Sequence, residues 1–495
     1  MPGVVPNEGP SVCIIGAGFS GLCGAIKLIQ EVGTTNFEIF EMNKDIGGTW
    51  LCNTYPGCAC DIPIHSYCFS FEKRADWRAQ YATNKEIFKY LQEVSSKYDL
   101  YSKIRFEHCI QRLQWDNELQ AWLVTIQNNR GTVITKKFDI VISATGSIRL
   151  PKIPEQFKNF KGPILHTAKW DESVDLINRR VAVVGTGASG IQVIPQVSKY
   201  ATDLFVFQRK PSWIFPKIDF EFGRITKFLF RYIPFLLTLY HMVLFFLMEL
   251  VWYAMRKNSW ASKQATKVCN AFRKKQLGKR KDLYDKLTPA YDFGCQRTAF
   301  ASDYYPVFTK ANTSLITEKI DSVTTDSIIT GDGSKYEIDA IVLATGFRIT
   351  DYFAPMEIID KNGDNVLPQW KKDAPSLFLG IASHNLPNLF ILYGPNTSTG
   401  HNSVVLTVEM QMEWVVSCLR KMIDRKAKVV SINESAVRNY MKQLRDQFRL
   451  MVWDASLCSP WYTDELGRNV SIYPWQLSHF SKQVRTFNYN QLDFQ

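Results

Sequence analysis

Two glycine loops of the same form set the limits on what this chain can fold into. The first, Gly16-Ala17-Gly18-Phe19-Ser20-Gly21, follows the apolar run Val12-Cys13-Ile14-Ile15. The second, Gly185-Thr186-Gly187-Ala188-Ser189-Gly190, follows Val181-Ala182-Val183-Val184. A strand, a G-x-G-x-x-G turn and a helix in that order bring backbone close to a pyrophosphate and aim a helix N-terminus at its charge. Two such units predict an α/β chain with two Rossmann-like dinucleotide-binding domains, holding two dinucleotides side by side.

The two units differ where each would meet a ribose. A helix is expected from Ser20 to about Val32, and the next strand, Glu38-Ile39-Phe40-Glu41, ends in an acid. An acid there accepts a hydrogen bond from a ribose hydroxyl and repels a 2'-phosphate. The matching strand of the second unit, Leu204-Phe205-Val206-Phe207, runs into Gln208-Arg209-Lys210. Paired cations favour a phosphorylated ribose. The first site reads as one for FAD or NAD, the second as one for NADP.

A repeated phrase suggests how the domains are joined. Asp139-Ile140-Val141-Ile142-Ser143-Ala144-Thr145-Gly146 returns as Asp339-Ala340-Ile341-Val342-Leu343-Ala344-Thr345-Gly346. Each reads as a buried strand ending in a small-residue turn beneath a cofactor. The expectation is an NADP domain at 151–337 inserted in an FAD domain, 1–150 and 338–495, with the two phrases marking exit and return. Pro151 and Pro154 punctuate the first crossing. Small antiparallel appendages are expected at Ala121 to Gln127, turning at Asn128 to Gly131, and at Ile328 to Tyr336, turning at Gly331 to Gly333. Helical periodicity runs from Val404 to Lys426.

With 495 residues there is room for two or three domains and substantial cores. Basic residues exceed acidic ones by 59 to 47. No clustered reading motif accompanies that excess, so no nucleic-acid partner is expected. The eleven cysteines are scattered without paired CxxC sets, which predicts reduced thiols and no metal site. The N-terminus has neither a basic n-region nor an apolar h-region, and a cytoplasmic location is expected.

One segment stands apart. Residues 217–290 read as a helical insertion, and Phe228 to Met255 is rich in Phe, Leu, Tyr and Met. Arg231, Pro234, His241 and Glu249 interrupt it, leaving a clean run of about sixteen residues, short of the roughly 20 that span a bilayer. Basic residues crowd Arg256 to Lys286. The first expectation is an apolar face serving as core or substrate channel. The second is peripheral contact of 228–281 with an anionic membrane, and the third a transmembrane helix.

Between the two loops lies Phe160-x-Gly162-xxx-His166-xxx-Trp170-Asp171. With that motif in that place, the chain resembles the type I Baeyer-Villiger class of flavin-dependent monooxygenases, whose FxGxxxHxxxW(P/D) fingerprint it matches at every defined position. The resemblance covers most of the chain. Gly47-Gly48-Thr49-Trp50, Tyr55-Pro56-Gly57, Cys60-Asp61, Tyr67 and Ser70-Phe71 follow the flavin-domain pattern, and Gln208 to Trp213 the NADP-domain pattern. Gly294-Cys295-Gln296-Arg297, with Tyr304-Tyr305 downstream, resembles the segment that carries the family's active-site arginine. Gly57-Cys58-Ala59-Cys60-Asp61 is most similar to fungal members that act on polyketides in secondary metabolism.

That resemblance implies FAD and NADP as cofactors, and a ketone and O2 as substrates. It implies a C4a-peroxyflavin route that inserts oxygen beside the carbonyl to give an ester or lactone. Arg297 would stabilise anionic oxygen, and Asp61 would hold Arg297 in place. Gly16, Gly18, Phe19, Ser20, Gly21, Glu41, Gly48, Thr49, Trp50, Asp61 and Tyr67 would bind the flavin nucleotide. Gly185, Gly187, Ala188, Ser189, Gly190, Arg209 and Lys210 would bind NADP. Phe160, Gly162, His166 and Trp170 would form a hinge or a cofactor contact, His166 coupling domain motion. Gln296 departs from the pattern, since many members have a lysine there. Gly394-Pro395-Asn396-Thr397 and Cys458-Ser459-Pro460-Trp461-Tyr462 resemble flavin-edge and substrate-loop segments. The rival reading is a monooxygenase that oxygenates nitrogen or sulfur through a hydroperoxyflavin.

Overall fold

The computed structural model describes residues 9–454 and 462–495. Its centre is a pair of five-stranded parallel sheets. In the first the order is Leu389–Ile391, Ile140–Ser143, Val12–Ile15, Phe37–Phe40, Ile104–Arg105. In the second it is Thr313–Ile316, Asp203–Phe207, Arg180–Val184, Ala340–Leu343, Ile164–His166. The central strands are continuous apolar runs because both faces of each parallel sheet are covered, one by helices and the other by antiparallel strands. The long helix Val404–Asp424 packs on Phe19–Lys27 over the first.

Each glycine loop leaves the middle strand of its sheet. Helix Phe19–Lys27 follows the first loop and widens into a π-type turn, Leu28–Val32, closed by left-handed Gly33. Helix Ala188–Val197 follows the second. Gly16 and Gly185 sit at φ +102° and +106°, where a side chain is strained. A Cβ on Gly16 would stand 2.6 Å from the Ala144 carbonyl oxygen, and one on Gly185 would collide with the Ala344 oxygen.

That pairing explains the repeated phrase and corrects the boundary expected at 337/338. Ala340–Leu343 pairs with Arg180–Val184 and Ile164–His166, with Ala340 opposite Val181 and Ile341 opposite Ile164. It is therefore a strand of the second sheet, and the chain returns to the first sheet only at Leu389–Ile391. The phrase repeats because it fills the same place twice. Asp139 accepts the backbone N–H of Ser11 at 2.7 Å, and Asp339 that of Arg180 at 2.8 Å, each at the start of the adjoining central strand. Each phrase ends with its alanine carbonyl against the first loop glycine. The two crossings between the sheets lie side by side, joined by Lys152 N–H to Gly346 O at 2.8 Å and Arg348 N–H to Leu150 O at 2.9 Å.

The antiparallel appendages are present. His108–Asp116, Ala121–Asn128 and Val133–Phe138 form a meander that Glu357–Ile359 extends. Ile320–Val323, Ser327–Thr330 and Lys335–Glu337 form the smaller one. Nine of the cysteines are free thiols, whereas Cys295 is disulfide-bonded, a departure from the reduced set expected. Among the described residues no three His, Cys, Asp or Glu side chains converge on a metal position.

The insertion is helical: Arg224–Tyr232, Pro234–Val251, Trp260–Leu277 and Lys281–Lys286. The inner face of its apolar helix is core, as the first expectation has it, and no part of it is channel. In Pro234–Val251 only Leu237, Leu244, Met248 and Glu249 are buried. No residue of 217–290 lines the large cavity between the sheets. The sequence is apolar around the whole helix, so periodicity could not say which half faces inward.

Under that helix lies His65, and on the helix a second, half-buried histidine, His241, meets it. His65 is fully buried and neither ring nitrogen has a partner. Its ring meets Phe222, Phe230, Tyr240 and His241 edge-on at 5.0–5.4 Å. Burial, helped by His241, pushes His65 down to about 3; burial, helped by Lys73, pushes His241 down to about 4. Both are neutral in the folded chain, while the unfolded chain protonates them near 6.5. Their contribution to stability is whole above pH 6.5 and shrinks as pH falls from there towards 4. At pH 5 each ring is expected to cost about 2 kcal/mol. Thermal melts at pH 7 and pH 5 check this: the midpoint should fall, and His65→Phe should cut that fall by at least a third. An equal fall in the variant would refute it.

Candidate active site

Both glycine loops open on one cavity of about 1150 Å³. Gly16, Gly18, Phe19, Ser20 and Glu41 line it from the first sheet, and Gly48, Thr49, Trp50, Asp61 and Tyr67 from the segment that follows. Gly185, Gly187, Ala188, Ser189, Arg209 and Lys210 line it from the second sheet, and Arg297 lies between. Gly21 and Gly190 do not reach it. Their place is beneath the loops, where a Cβ would run into the Gly16 and Gly185 carbonyl oxygens. They let each helix close onto its own turn.

The first half fits a flavin nucleotide. The backbone turns at Gly18 and Gly48 nest together, a Cβ on Gly18 lying 3.6 Å from Gly48 Cα. Glu41, at the end of Phe37–Phe40, accepts the Ala17 N–H at 2.8 Å and the Asn43 N–H at 2.8 Å, which fixes its carboxylate beside the loop. Phe19, Tyr67 and Trp50 form an edge-to-face ladder, 5.3 Å and 5.7 Å between centroids. The second half fits a phosphorylated dinucleotide. A Cβ on Gly187 would meet nothing within 4 Å, so that turn is open to the cavity. Arg209 and Lys210 follow Asp203–Phe207. Lys319 follows the neighbouring strand Thr313–Ile316, paired Phe207 to Ile316, and lines the same cavity.

Arg297 and Asp61 meet across 236 residues in a two-pronged ion pair, Nε to Oδ2 at 2.9 Å and Nη2 to Oδ1 at 2.6 Å. Side-chain exposure of 31% for Arg297 is exposure into the cavity, not to bulk water. The Asp61 charge raises the Arg297 pKa above its already high value against the opposing effect of burial, so the guanidinium stays charged. Tyr393 and Tyr462 line the same cavity.

No sequence motif marks Gln192, which locks the two halves. Its side-chain oxygen accepts the Tyr55 hydroxyl at 2.7 Å and its amide donates to Ala59 O at 2.9 Å. Gly57, at φ +85°, is pressed so close that a Cβ would lie 2.6 Å from Gln192 O. Tyr55-Pro56-Gly57 is thus the place where the flavin segment docks on helix Ala188–Val197.

None of Phe160, Gly162, His166 and Trp170 lines the cavity. His166 ends the edge strand of the second sheet, accepts Ala168 N–H on Nδ1 at 3.0 Å and meets Phe347 edge-on at 6.1 Å. Burial pushes it down to about 4, so it is neutral at pH 7. A Cβ on Gly162 would press on the Phe160 ring and on Asp339 O at 2.6 and 2.7 Å. The motif braces the sheet edge and the crossing at Phe347.

Of the C-terminal segments, Gly394 to Thr397 runs behind the wall that Tyr393, Ser398, Thr399 and Asn402 form. Residues 458–461 lie outside the described residues, and Tyr462 lines the cavity. The wall is held from behind by buried Glu249. Its carboxylate takes hydrogen bonds from Asn402 Nδ2 at 2.9 Å, Leu477 N at 3.1 Å and Ser478 N and Oγ at 3.0 and 2.7 Å, with His401 Nε2 at 3.2 Å. Burial alone would raise this carboxyl; the donors, His401 and Ser478 first, outweigh it and hold it at about 2.

Comparison with known proteins agrees with this construction. A Pseudomonas aeruginosa protein named Baeyer-Villiger monooxygenase is 36% identical over 481 residues, 96% of this chain and 90% of that one. An Aspergillus niger protein named FAD-binding monooxygenase ktnD is 31% identical over 501 residues, 96% of this chain and 80% of that one. A solved structure of an oxidized steroid monooxygenase bound to NADP superposes with a TM-score of 0.85 at 24% identity, covering 98% of this chain and 99% of that one. Residues 9–451, which take in both glycine loops, the Asp61–Arg297 pair and the strands that carry them, match the flavin-binding monooxygenase-like family, and the chain belongs to it.

Proposed function

We propose that the chain is an FAD- and NADPH-dependent Baeyer-Villiger monooxygenase, placing one atom of O2 beside the carbonyl of a ketone to give an ester or lactone. A polyketide ketone of secondary metabolism is the substrate class. The observation that carries the reading is a guanidinium clamped by a carboxylate, its remaining face turned into a cavity that two dinucleotide loops share.

The loop at Gly16 to Ser20 with Glu41 would hold the flavin nucleotide, and Gly185 to Ser189 with Arg209, Lys210 and Lys319 the NADP. Bound FAD, reduced by NADPH, supplies the oxygen-activating chemistry. The chain's own part is electrostatic and geometric. Arg297 places a permanent positive charge where negative charge grows on oxygen at the ketone, in a pocket shielded from water. Asp61 fixes the plane of that charge, so no reorientation is needed as the reaction proceeds. Tyr55 and Gln192 keep the two loops in register, which sets the approach of one ring to the other. Val404, Val405, Val408 and Ile472 supply apolar wall to the cavity.

The test is incubation with NADPH, O2 and a ketone panel, reading a gain of one oxygen by mass spectrometry. A gain confined to amines or thioethers would overturn the reading in favour of nitrogen or sulfur oxygenation.

NADPH is expected to reduce the flavin much faster than NADH, because cations and not an acid follow the second sheet's ribose strand. Arg209→Ala should raise the KM for NADPH by about tenfold and leave that for NADH nearly unchanged, since only a phosphate contact is lost. Equal wild-type rates with both nucleotides would sink the assignment.

A further inference from the structure

The helix Pro234–Val251 and its extension to Met255 make 22 residues of mean hydropathy 1.9, of which 28% of the apolar window is buried. Phe235, Leu239, Met242, Phe246, Leu250 and Tyr253 are all exposed and recur at three- and four-residue steps, one stripe along the outer face. Between 234 and 255 the only Asp, Glu, Lys or Arg is Glu249, and it points inward. A surface helix in water carries charge on its outer face, and a continuous apolar stripe of this length marks an interaction site.

The inner face is tied down. Besides the donors around Glu249, Thr238 Oγ1 accepts from Lys73 Nζ at 3.0 Å, Tyr240 donates to Gln80 at 2.6 Å and Trp252 Nε1 donates to Pro474 O at 3.0 Å. The helix is long enough to cross a bilayer, but crossing would strip Glu249 of every donor and leave a carboxylate in hydrocarbon. It is built to lie flat.

Its two ends complete the pattern. Tyr232 before it and Trp260 after it are 65% and 76% exposed, the amphipathic rings that settle at a lipid headgroup level. Helix Arg224–Tyr232 buries no residue at all, and sets Ile225, Phe228 and Tyr232 on one stripe beside Arg224, Lys227 and Arg231 on the next. Arg231 shares its charge with Asp76 at 3.4 Å. Among the described residues Arg224 and Lys227 before the helix, and Lys263 and Lys267 after it, have no carboxylate within 4.0 Å; Arg256 lies over the Trp252 ring.

We infer that this face docks on an anionic membrane surface. The outer half of Pro234–Val251 lies in the acyl boundary, and the flanking cations meet lipid phosphates. A second copy of the chain fits worse. Two such helices packed in either direction bring basic flank against basic flank, whereas anionic lipid supplies the opposite charge.

The experiment is flotation of the purified FAD-loaded enzyme with phosphatidylcholine vesicles, with and without phosphatidylserine. At low salt the protein is expected to float with serine-containing vesicles, and at least about tenfold less with phosphatidylcholine alone. Phe235→Glu/Phe246→Glu/Leu250→Glu, all on the outer stripe, should abolish flotation while flavin content and NADPH bleaching stay unchanged. These last readouts are independent of which substrate is oxygenated. Three results would each overturn the inference: wild type left behind at low salt, the triple variant floating like wild type, or a lipid-free dimer that the variant disperses. Retention on vesicles through alkaline carbonate would overturn the flat-lying geometry.

Discussion

Replacing Arg297 with alanine is expected to leave the protein yellow and its flavin reducible by NADPH, while ketone oxygenation falls by at least roughly 10²–10³. The separation follows from where charge appears. Hydride transfer between the two rings depends on alignment, which the glycine loops and the Tyr55–Gln192 lock provide without Arg297. Oxygen insertion builds negative charge beside the ketone, and Arg297 is the cation fixed there. A full charge in a shielded site outweighs a neutral donor, so the loss can exceed the range for a single hydrogen bond. Asp61→Ala should produce the same phenotype in milder form, because the guanidinium stays charged but loses both anchoring bonds. Stopped-flow reduction, oxygen-product yield and hydrogen peroxide release distinguish the steps. In Arg297→Ala, reduction should be normal, product absent, and NADPH oxidation diverted to peroxide. Ester formation near the wild-type rate would remove Arg297 from the mechanism.

The second large effect concerns stability. Glu249→Ala is expected to cost roughly 3–5 kcal/mol, since it strands buried donors on two segments at once. Asn402 Nδ2, Leu477 N–H and the Ser478 N–H and hydroxyl would all lose their acceptor. Glu249→Gln keeps the shape and one acceptor oxygen, and should cost less than half as much. The difference also has a pH signature. A carboxyl held at about 2 when folded and near 4.5 when unfolded stabilises the fold above pH 4.5 and loses that contribution as pH falls towards 2. Wild type and Glu249→Gln should therefore converge on acidification through that window. Urea midpoints at pH 7 and at pH 3.5 check both statements. An alanine variant with a wild-type midpoint at pH 7 would show the network to be dispensable. The chain has more than one folding unit, so midpoints compared across variants are the sound quantity.

How much of this was legible beforehand depended on distance along the chain. The loops, their helices and the opposite charges at Glu41 and Arg209-Lys210 are local patterns, and each sits on the element its spacing indicates. Asp61 and Arg297 lie 236 residues apart, and resemblance to a family suggested their pairing where no local pattern could. The phrase at Asp339 misled because sequence records what a strand is, a buried run ending in a tight turn. Which sheet it joins is decided by partners far away. Gln192 and Lys319 went unnoticed for a related reason: one is an ordinary position within a helix and the other follows an ordinary strand. Their significance comes from what the fold sets opposite them. The outward half of Pro234–Val251 was hidden by uniformity, since an all-apolar helix offers no contrast to read.

The nesting of the sheets imposes an order on synthesis. The inner sheet has all five strands once residue 343 has emerged. The outer sheet, although its first strand begins at residue 12, still lacks the edge at Leu389–Ile391 and the helix Val404–Asp424 that covers Phe19–Lys27. A nascent chain therefore finishes its second nucleotide unit before its first. Throughout that interval Ile140–Ser143 presents an unpaired apolar edge of the kind that recruits other chains. Truncation anywhere before residue 389 leaves that edge permanently open, so the C-terminal hundred or so residues are part of the first domain's solubility and not an appendage to it.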